Sequence, residues 1–333
     1  MRTVASASPS TSRASAPTRT RRDALLAAAA AVAVGGGPPR RARASVETDV
    51  REKKFPKAVF ATSRPEATRY PAWLEGEWTA RSEFAGYEFP SSLRKETIAR
   101  EPSTPGFQKM SLAFVPDVGS AATFRVRFSR GRGKRGDDGV YEDRAFNLRE
   151  IIDAYVGADA VEEVEYDAEK DANRTTIRLG RGASNNAERV ELFTNGRASE
   201  TRASDGTFFA REDFRQVTLG YSTNYGVARV APTDYAHVWT YTPLPDAETP
   251  NDDASLDARR VGATGAPVVN RVRVTLSTAG YLQPNDALKY TASATTNPGG
   301  APVPRVGAAS ALALEPVVLY SHVMLLERVG CVP

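Results

Sequence analysis

From Tyr70 to the C-terminus, apolar and polar residues alternate over short runs separated by clusters of Gly, Asn, Asp and Pro, the texture of a meandering antiparallel sheet. Thr123-Phe-Arg-Val-Arg-Phe128 puts Phe124, Val126 and Phe128 on one face and Arg125 and Arg127 on the other, as a half-buried strand requires. Arg271-Val-Arg-Val-Thr-Leu276 repeats the pattern, and 174–179 and 189–193 are shorter relatives. Further strands are predicted at 164–167, 207–214, 235–241 and 288–294, and the long apolar run of 316–328 predicts a closing strand. Only Asn147–Val156, with Ile151, Ile152 and Tyr155 at helical spacing, predicts a helix. No repeat of propeller or solenoid period is visible. The pattern predicts a mainly β fold, a single antiparallel barrel of about ten strands with one short helix, because closing the sheet hides its edges.

Ahead of this body the pattern changes. The apolar centre of the N-terminal run, Ala24 to Val34, is about half the roughly 20 residues a bilayer crossing requires. Arg21 and Arg22 stand immediately before the run, and Ala42-Arg43-Ala44 behind it offers the small residues, Ala42 and Ala44, that a signal peptidase accepts. These features predict a twin-arginine export signal with Ser45 as the first mature residue. Met1 to Thr20, rich in Ser, Thr, Ala and Arg and free of Asp and Glu, has the composition of an organelle transit peptide. The tandem resembles the bipartite presequence of proteins sent through the chloroplast into the thylakoid lumen. A bacterial periplasmic protein with a long basic leader is the alternative, and an Ala-rich tail without a destination is the bland one. The expected organisation is therefore a targeting segment at 1–44, a charged and extended lead-in at 45–69 and a barrel domain at 70–333. Pro243–Pro267 and Asn297–Ser310 read as long loops between strands.

The leader also changes the charge. Its eight arginines against one aspartate turn the formal +4 of the chain into −3 for the remainder, so the basic pI belongs to the leader. A weakly acidic body lacks the footprint of a nucleic-acid binder. The one basic cluster inside it, Arg130 to Gly136, meets Asp137 and Asp138 at once and is followed by no Gly-Lys-Ser/Thr, which fits a solvated hairpin better than a phosphate loop. With Cys331 the only cysteine, an internal disulfide and a Cys-based metal site are excluded, and two histidines are too few for a multi-His cluster. No metal or cofactor is expected. A Gly-x-Ser-x-Gly elbow is lacking, and Ser321 beside His322 points to the opposite face of its strand.

Two places carry candidate chemistry. Tyr235-Ala-His-Val-Trp-Thr-Tyr241 puts Tyr235, His237, Trp239 and Tyr241 on one face; turned inward they would form an aromatic wall for an apolar pigment, quinone or lipid fragment, and otherwise they simply pack. His322 shares a face with Val318, Tyr320, Met324 and Leu326, which predicts burial and a lowered pKa, hence a candidate pH sensor.

Resemblance adds two expectations. Gly76-x-Trp78 resembles the opening strand of the lipocalin and calycin barrels, whose tryptophan lies at the closed end of the barrel beneath a basic side chain from the far end of the chain; Arg328 is the matching residue here. Tyr70-Pro-Ala-Trp-Leu-Glu-Gly-Glu-Trp78, Asp143-Arg-Ala-Phe-Asn147 and Gly196-Arg-Ala-Ser-Glu200, in this order, are similar to an uncharacterised cyanobacterial and plastid family annotated only by a domain of unknown function. That resemblance spans about Tyr70 to Val329 and implies a photosynthetic lineage, with no activity to carry over. A lumenal lipocalin-like barrel also resembles the xanthophyll de-epoxidases, but their cysteine framework is missing. The expectation is a non-catalytic lumenal protein carrying a small apolar ligand in the barrel. The alternatives are an interaction or assembly factor on the lumenal face of a membrane complex, and an enzyme acting on a lipid or carotenoid.

Overall fold

The computed structural model describes residues 45–57, 66–101, 104–106, 110–115, 120–132, 138–184, 187–221, 228–245, 269–296, 302–304 and 311–329. Ser45–Pro333 forms one compact unit. The targeting residues Arg21, Arg22, Ala42 and Ala44 lie outside the described residues, as do most of 243–267 and 297–310 and the tip of the basic hairpin.

The strands are β1 (Gly76–Glu88), β2 (Ala122–Arg132), β3 (Asp138–Glu142), β4 (Val161–Glu165), β5 (Arg174–Leu179), β6 (Ala187–Thr201), β7 (Phe208–Tyr221), β8 (Ala228–Leu244), β9 (Arg271–Tyr281), β10 (Ala292–Thr296), β11 (Pro302–Pro304) and β12 (Val318–Arg328). Ten of them make one antiparallel sheet in the order β3-β2-β1-β12-β9-β8-β7-β6-β5-β4, curled into a half-barrel, while β10 and β11 form a separate ribbon. The closing strand β12 lies between β1 and β9, with Trp78 opposite Arg328 and His322 opposite Leu276. The alternation read from the sequence sets the faces: Trp78, Phe124, Phe128, Val274, Leu276, Tyr320 and Leu326 all enter the main core.

The helices are α1 (Val46–Glu52), α2 (Lys95–Arg100), α3 (Arg144–Val156), α4 (Ala168–Asp171) and α5 (Pro284–Tyr290), with a 3-10 turn at Ala72–Leu74. The sequence predicted one helix. It is α3, capped by Asp143, whose carboxylate accepts from Phe146 N, and it ends at Gly157 with φ +140°, a conformation L side chains rarely adopt. The two edge strands β3 and β4 do not pair with each other; α3 runs between them instead. Arg149 of α3 donates to the carbonyls of Val161 (2.6 Å) and Glu162 (3.0 Å) on β4, and Tyr70 N donates to Val140 O on β3 at 2.8 Å. Edge backbone that could template aggregation is thereby occupied.

Two corrections concern elements. The lead-in at 45–69 is not simply extended: Ser45 caps α1 by accepting from Thr48 N, and Val46 and Phe55 pack on Phe209, Val238, Tyr281 and Leu319, the outward faces of β7, β8, β9 and β12. Burying Val46 and Phe55 favours this docking by about 1.5–3 kcal/mol each. Arg211 fixes it, pairing with Asp49 at 3.1 Å and donating to Pro56 O at 2.5 Å. The strand predicted at 288–294 is the end of α5 followed by β10, because Pro284 at the helix start and the apolar contact of Ala287 select the helical period.

Between α2 and β2 the chain enters the barrel. Met110 to Val115 has no regular secondary structure, yet Met110, Ala113 and Val115 are 0% exposed and Ser111, Leu112 and Phe114 are buried with them. This segment is a plug, and the sequence pattern did not mark it.

Candidate functional site

Tyr235, His237, Trp239 and Tyr241 lie on the inner face of β8, as their alternation requires, but they are packed rather than open. Tyr235 and His237 rings are 4.8 Å apart and His237 and Trp239 rings 5.2 Å. The plug residue Phe114 sits edge-on to both His237 (6.1 Å) and Trp239 (6.2 Å), and Tyr241 stands edge-on to Tyr70 and Phe128. The cavity left against Trp239, Tyr241, Tyr70, Glu142 and Asn147 measures about 50 Å³. A drug-sized ligand needs ~300–1,000 Å³; this space suits a few water molecules.

Gln216 on β7 explains how a loop can be buried there. Its side-chain oxygen accepts from Ala113 N (3.1 Å) and from Tyr235 OH (2.9 Å), and its amide nitrogen donates to Met110 O at 2.6 Å. Backbone polar groups that would otherwise be orphaned in the core are satisfied.

Beside the aromatic wall lies a charged cluster that sequence reasoning missed. Arg144, the first residue of α3, donates to Glu212 on β7 (2.6 Å) and to Glu142 on β3 (3.1 Å). Arg197 on β6 donates to the other oxygen of Glu212 (2.6 Å), to Asn173 (2.6 Å) and to Ala172 O (2.6 Å). Burial alone would raise the pKa of Glu212, but the guanidiniums of Arg144 and Arg197 outweigh it and hold it at about 2. For Glu142 burial wins over Arg144, and its pKa rises, with Glu212 adding to the rise. A signal was present: Phe208, Ala210, Glu212, Phe214 and Gln216 alternate on one face, so Glu212 and Gln216 stand among apolar residues.

Between β1 and β12, the Arg328 guanidinium lies 4.2 Å from the centre of the fully buried Trp78 ring and donates to Trp73 O, Glu75 O and Val269 O. Trp78 Nε1 donates to Leu74 O at 2.9 Å. Gly76 has a physical reason: a Cβ there would stand 2.5 Å from Arg328 Nη1, and its φ is +126°. Gly76, Trp78 and Arg328 therefore meet, one strand over from Phe128.

His322 is 0% exposed, edge-on to Phe84 at 5.4 Å, and burial lowers its pKa to about 4. His237 is lowered further, to about 3, by burial first and by His322 second, against a smaller upward pull from Glu212. His237 Nδ1 is 2.8 Å from Thr278 Oγ1; its Nε2 and both nitrogens of His322 have no hydrogen-bond partner among the described residues. Among those residues there is also no group of three or more His, Cys, Asp or Glu side chains placed to hold a metal ion, and no helix long and apolar enough to cross a membrane.

A family model described as a domain of unknown function (DUF6816) matches residues 63–299, a stretch that includes the aromatic wall, the plug and the charged cluster. No curated protein and no solved structure matches the chain.

Proposed function

We propose that this chain, which belongs to the family of that domain of unknown function, is a non-catalytic protein of the thylakoid lumen that works as an interaction or assembly factor for a photosynthetic membrane complex. The observation that carries the choice is the plug: Met110 to Val115 packs into the barrel against the aromatic wall, and the cavity beside Trp239 and Tyr241 among the described residues holds about 50 Å³, too little for a pigment, quinone or lipid. The buried carboxylate of Glu212 is engaged by two arginines, which favours a structural over a catalytic use. The lumenal address rests on Arg21-Arg22, the short apolar run and Ala42-Arg43-Ala44, and the plastid lineage on the three sequence blocks between Tyr70 and Glu200. A lipocalin-like ancestry is supported by Gly76, Trp78 and the stacked Arg328.

Tagged protein isolated natively from illuminated chloroplasts, with and without cross-linking, tests both halves. The expected result is a cross-linked subunit of a thylakoid membrane complex and no stoichiometric chromophore, with lumenal delivery lost when Arg21→Lys and Arg22→Lys are combined. A carotenoid or quinone recovered at one per chain would overturn the interaction reading in favour of ligand carriage.

A further inference from the structure

We propose that the cleft between α2 and α5 binds the phosphate or sulfonate ester of a lipid headgroup, and that α2, with the aromatic rings beside it, docks on a negatively charged lipid surface. The inference goes beyond the interaction-factor reading and does not depend on it.

The cleft holds about 470 Å³ and is lined by Arg94, just before α2, by Glu96, Thr97 and Arg100 of α2, and by Tyr290 at the end of α5. That volume falls in the ~300–1,000 Å³ range of small-molecule sites. Its walls are anchored from beneath: Ile98 of α2 is 0% exposed, and Tyr290 OH donates to the buried Glu101 at 2.7 Å, with Lys289 3.7 Å from the same carboxylate oxygen. Glu101 is thereby engaged, whereas the side chains of Arg94 and Arg100 make no ion pair or hydrogen bond with a described residue. By contrast, Arg125, Arg127, Arg130, Arg174, Arg178 and Arg202 each pair with a carboxylate. Two guanidiniums around one hollow suit an oxyanion, which each can hold through paired N–H donors. Glu96 on the same wall opposes a bare anion but can accept from a hydroxyl, so the set fits an anionic ester of a polyol better than a free ion.

The surroundings of the cleft point to a lipid surface rather than to a soluble ligand. Lys95 Nζ lies 5.0 Å from the ring centre of Tyr87 and 5.8 Å from that of Phe89. Tyr87 is 42% exposed, and its ring meets Phe89 edge-on at 5.4 Å. Amphipathic rings at the surface beside long basic side chains are the composition of an interfacial anchor. Arg94, Lys95 and Arg100 against Glu96 leave α2 and its cap at +2, on a body whose formal charge is −3. Salt screens the distant acidic residues beyond about 8–10 Å, so the local sign decides how this patch meets a charged surface.

Co-sedimentation of the compact unit Ser45–Pro333, freed of the arginine-rich leader, with vesicles of phosphatidylcholine alone or mixed with phosphatidylglycerol tests this. Binding is expected to the mixed vesicles and not to phosphatidylcholine, fading as added salt shortens the screening length. A basic residue near such a surface contributes about fivefold, so Arg94→Gln combined with Arg100→Gln should weaken binding about 25-fold. Tyr87→Ser should weaken it several-fold more. Lys54→Gln combined with Arg178→Gln removes the same charge away from the patch and should leave binding unchanged. If the arginine pair variant loses its cooperative urea transition, Arg100→Gln alone is judged in its place, at about fivefold. Undiminished binding by the cleft variant, or an equal loss in the Lys54 and Arg178 control, overturns the proposal. Calorimetric titration with inorganic phosphate separates the two sources of the anion: phosphate binding that needs Arg94 and Arg100, without vesicle binding, would reject the lipid surface in favour of a soluble anion.

Discussion

At the residue scale the two histidines have the plainest consequence. His237 on β8 faces Glu212 across the β7 register and Thr278 across β9, with Tyr235, Trp239, Phe214 and Phe114 around its ring; His322 on β12 faces Phe84 on β1 and Leu276 on β9. Their folded values, about 3 and about 4, lie below the unfolded value of about 6.5, so the unfolded chain takes up protons first as pH falls. The stability held by neutral imidazoles is thus complete above pH ~6.5 and is lost on the way down toward pH ~4 and ~3. At pH 5 the loss is about 2 kcal/mol per histidine, a large share of the ~5–15 kcal/mol that holds a domain folded. Glu142, whose pKa is raised, works in the opposite sense, so the difference between proteins is the readout. Urea unfolding at pH 7 and pH 5 should show His237→Gln and His322→Gln each flattening the pH dependence by about that amount; parallel profiles would refute it. The burial of His322 was legible because its strand alternates cleanly from Val318 to Leu326. The placement of Phe114 against His237 was not, since nothing periodic marks an irregular segment whose backbone is held by a glutamine 103 residues from Ala113 along the chain.

At the element scale, α3 does what a missing β3–β4 pairing would do. It leaves β3 with Arg144, crosses the open side of the curled sheet, and returns to β4 at Val161, with Arg149 and Asp153 bonded to the edge backbone. Glu212 is the far anchor of this closure, because it draws Arg144 of α3 and Arg197 of β6 to one carboxylate deep in the barrel. Taking that charge away leaves two buried guanidiniums facing a neutral amide. Glu212→Gln is accordingly expected to destabilise by about 3–5 kcal/mol, several-fold more than any surface pair such as Lys54–Glu52, whose loss should cost under about 1 kcal/mol. Urea midpoints of the two variants decide it, and near-equal costs would show that the latch carries no weight. The strands of this closure were visible in the alternation, and the body of α3 in Ile151, Ile152 and Tyr155. Arg144 was hidden because its role depends on a carboxylate far along the chain, and α1 because one short turn with Val46 and Val50 has no strong period until the outer face of β7 to β9 is there to receive it.

At the scale of the whole molecule, strand order makes the two ends of the body interdependent. β3, β2 and β1 reach the remaining strands of the sheet only through β12, the last strand in the chain, which pairs with β1 from Trp78–Arg328 to Glu88–Leu319 and with β9 from Glu327–Arg271 to Val318–Gly280. Arg328 tightens the same seam by bonding carbonyls before β1 and before β9. The barrel topology could be anticipated from about ten alternating runs, but the central place of β12 could not, because alternation reports faces and not neighbours. Such an arrangement has no half that can fold alone: N-terminal strands without β12 expose Trp78, Ala80 and Ser82 on a free edge, and β9 to β4 without it lose the inner wall that covers Leu276 and Val274. Residues Ser45–Pro333 should therefore unfold in one cooperative transition, with tryptophan fluorescence and far-ultraviolet circular dichroism giving coincident midpoints in urea. Removing Val318–Arg328 should abolish that transition for the entire sheet, rather than leaving a stable β9 to β4 fragment. Two separated midpoints, or a truncated chain that keeps a cooperative transition, would mean that the sheet is two domains joined at β12.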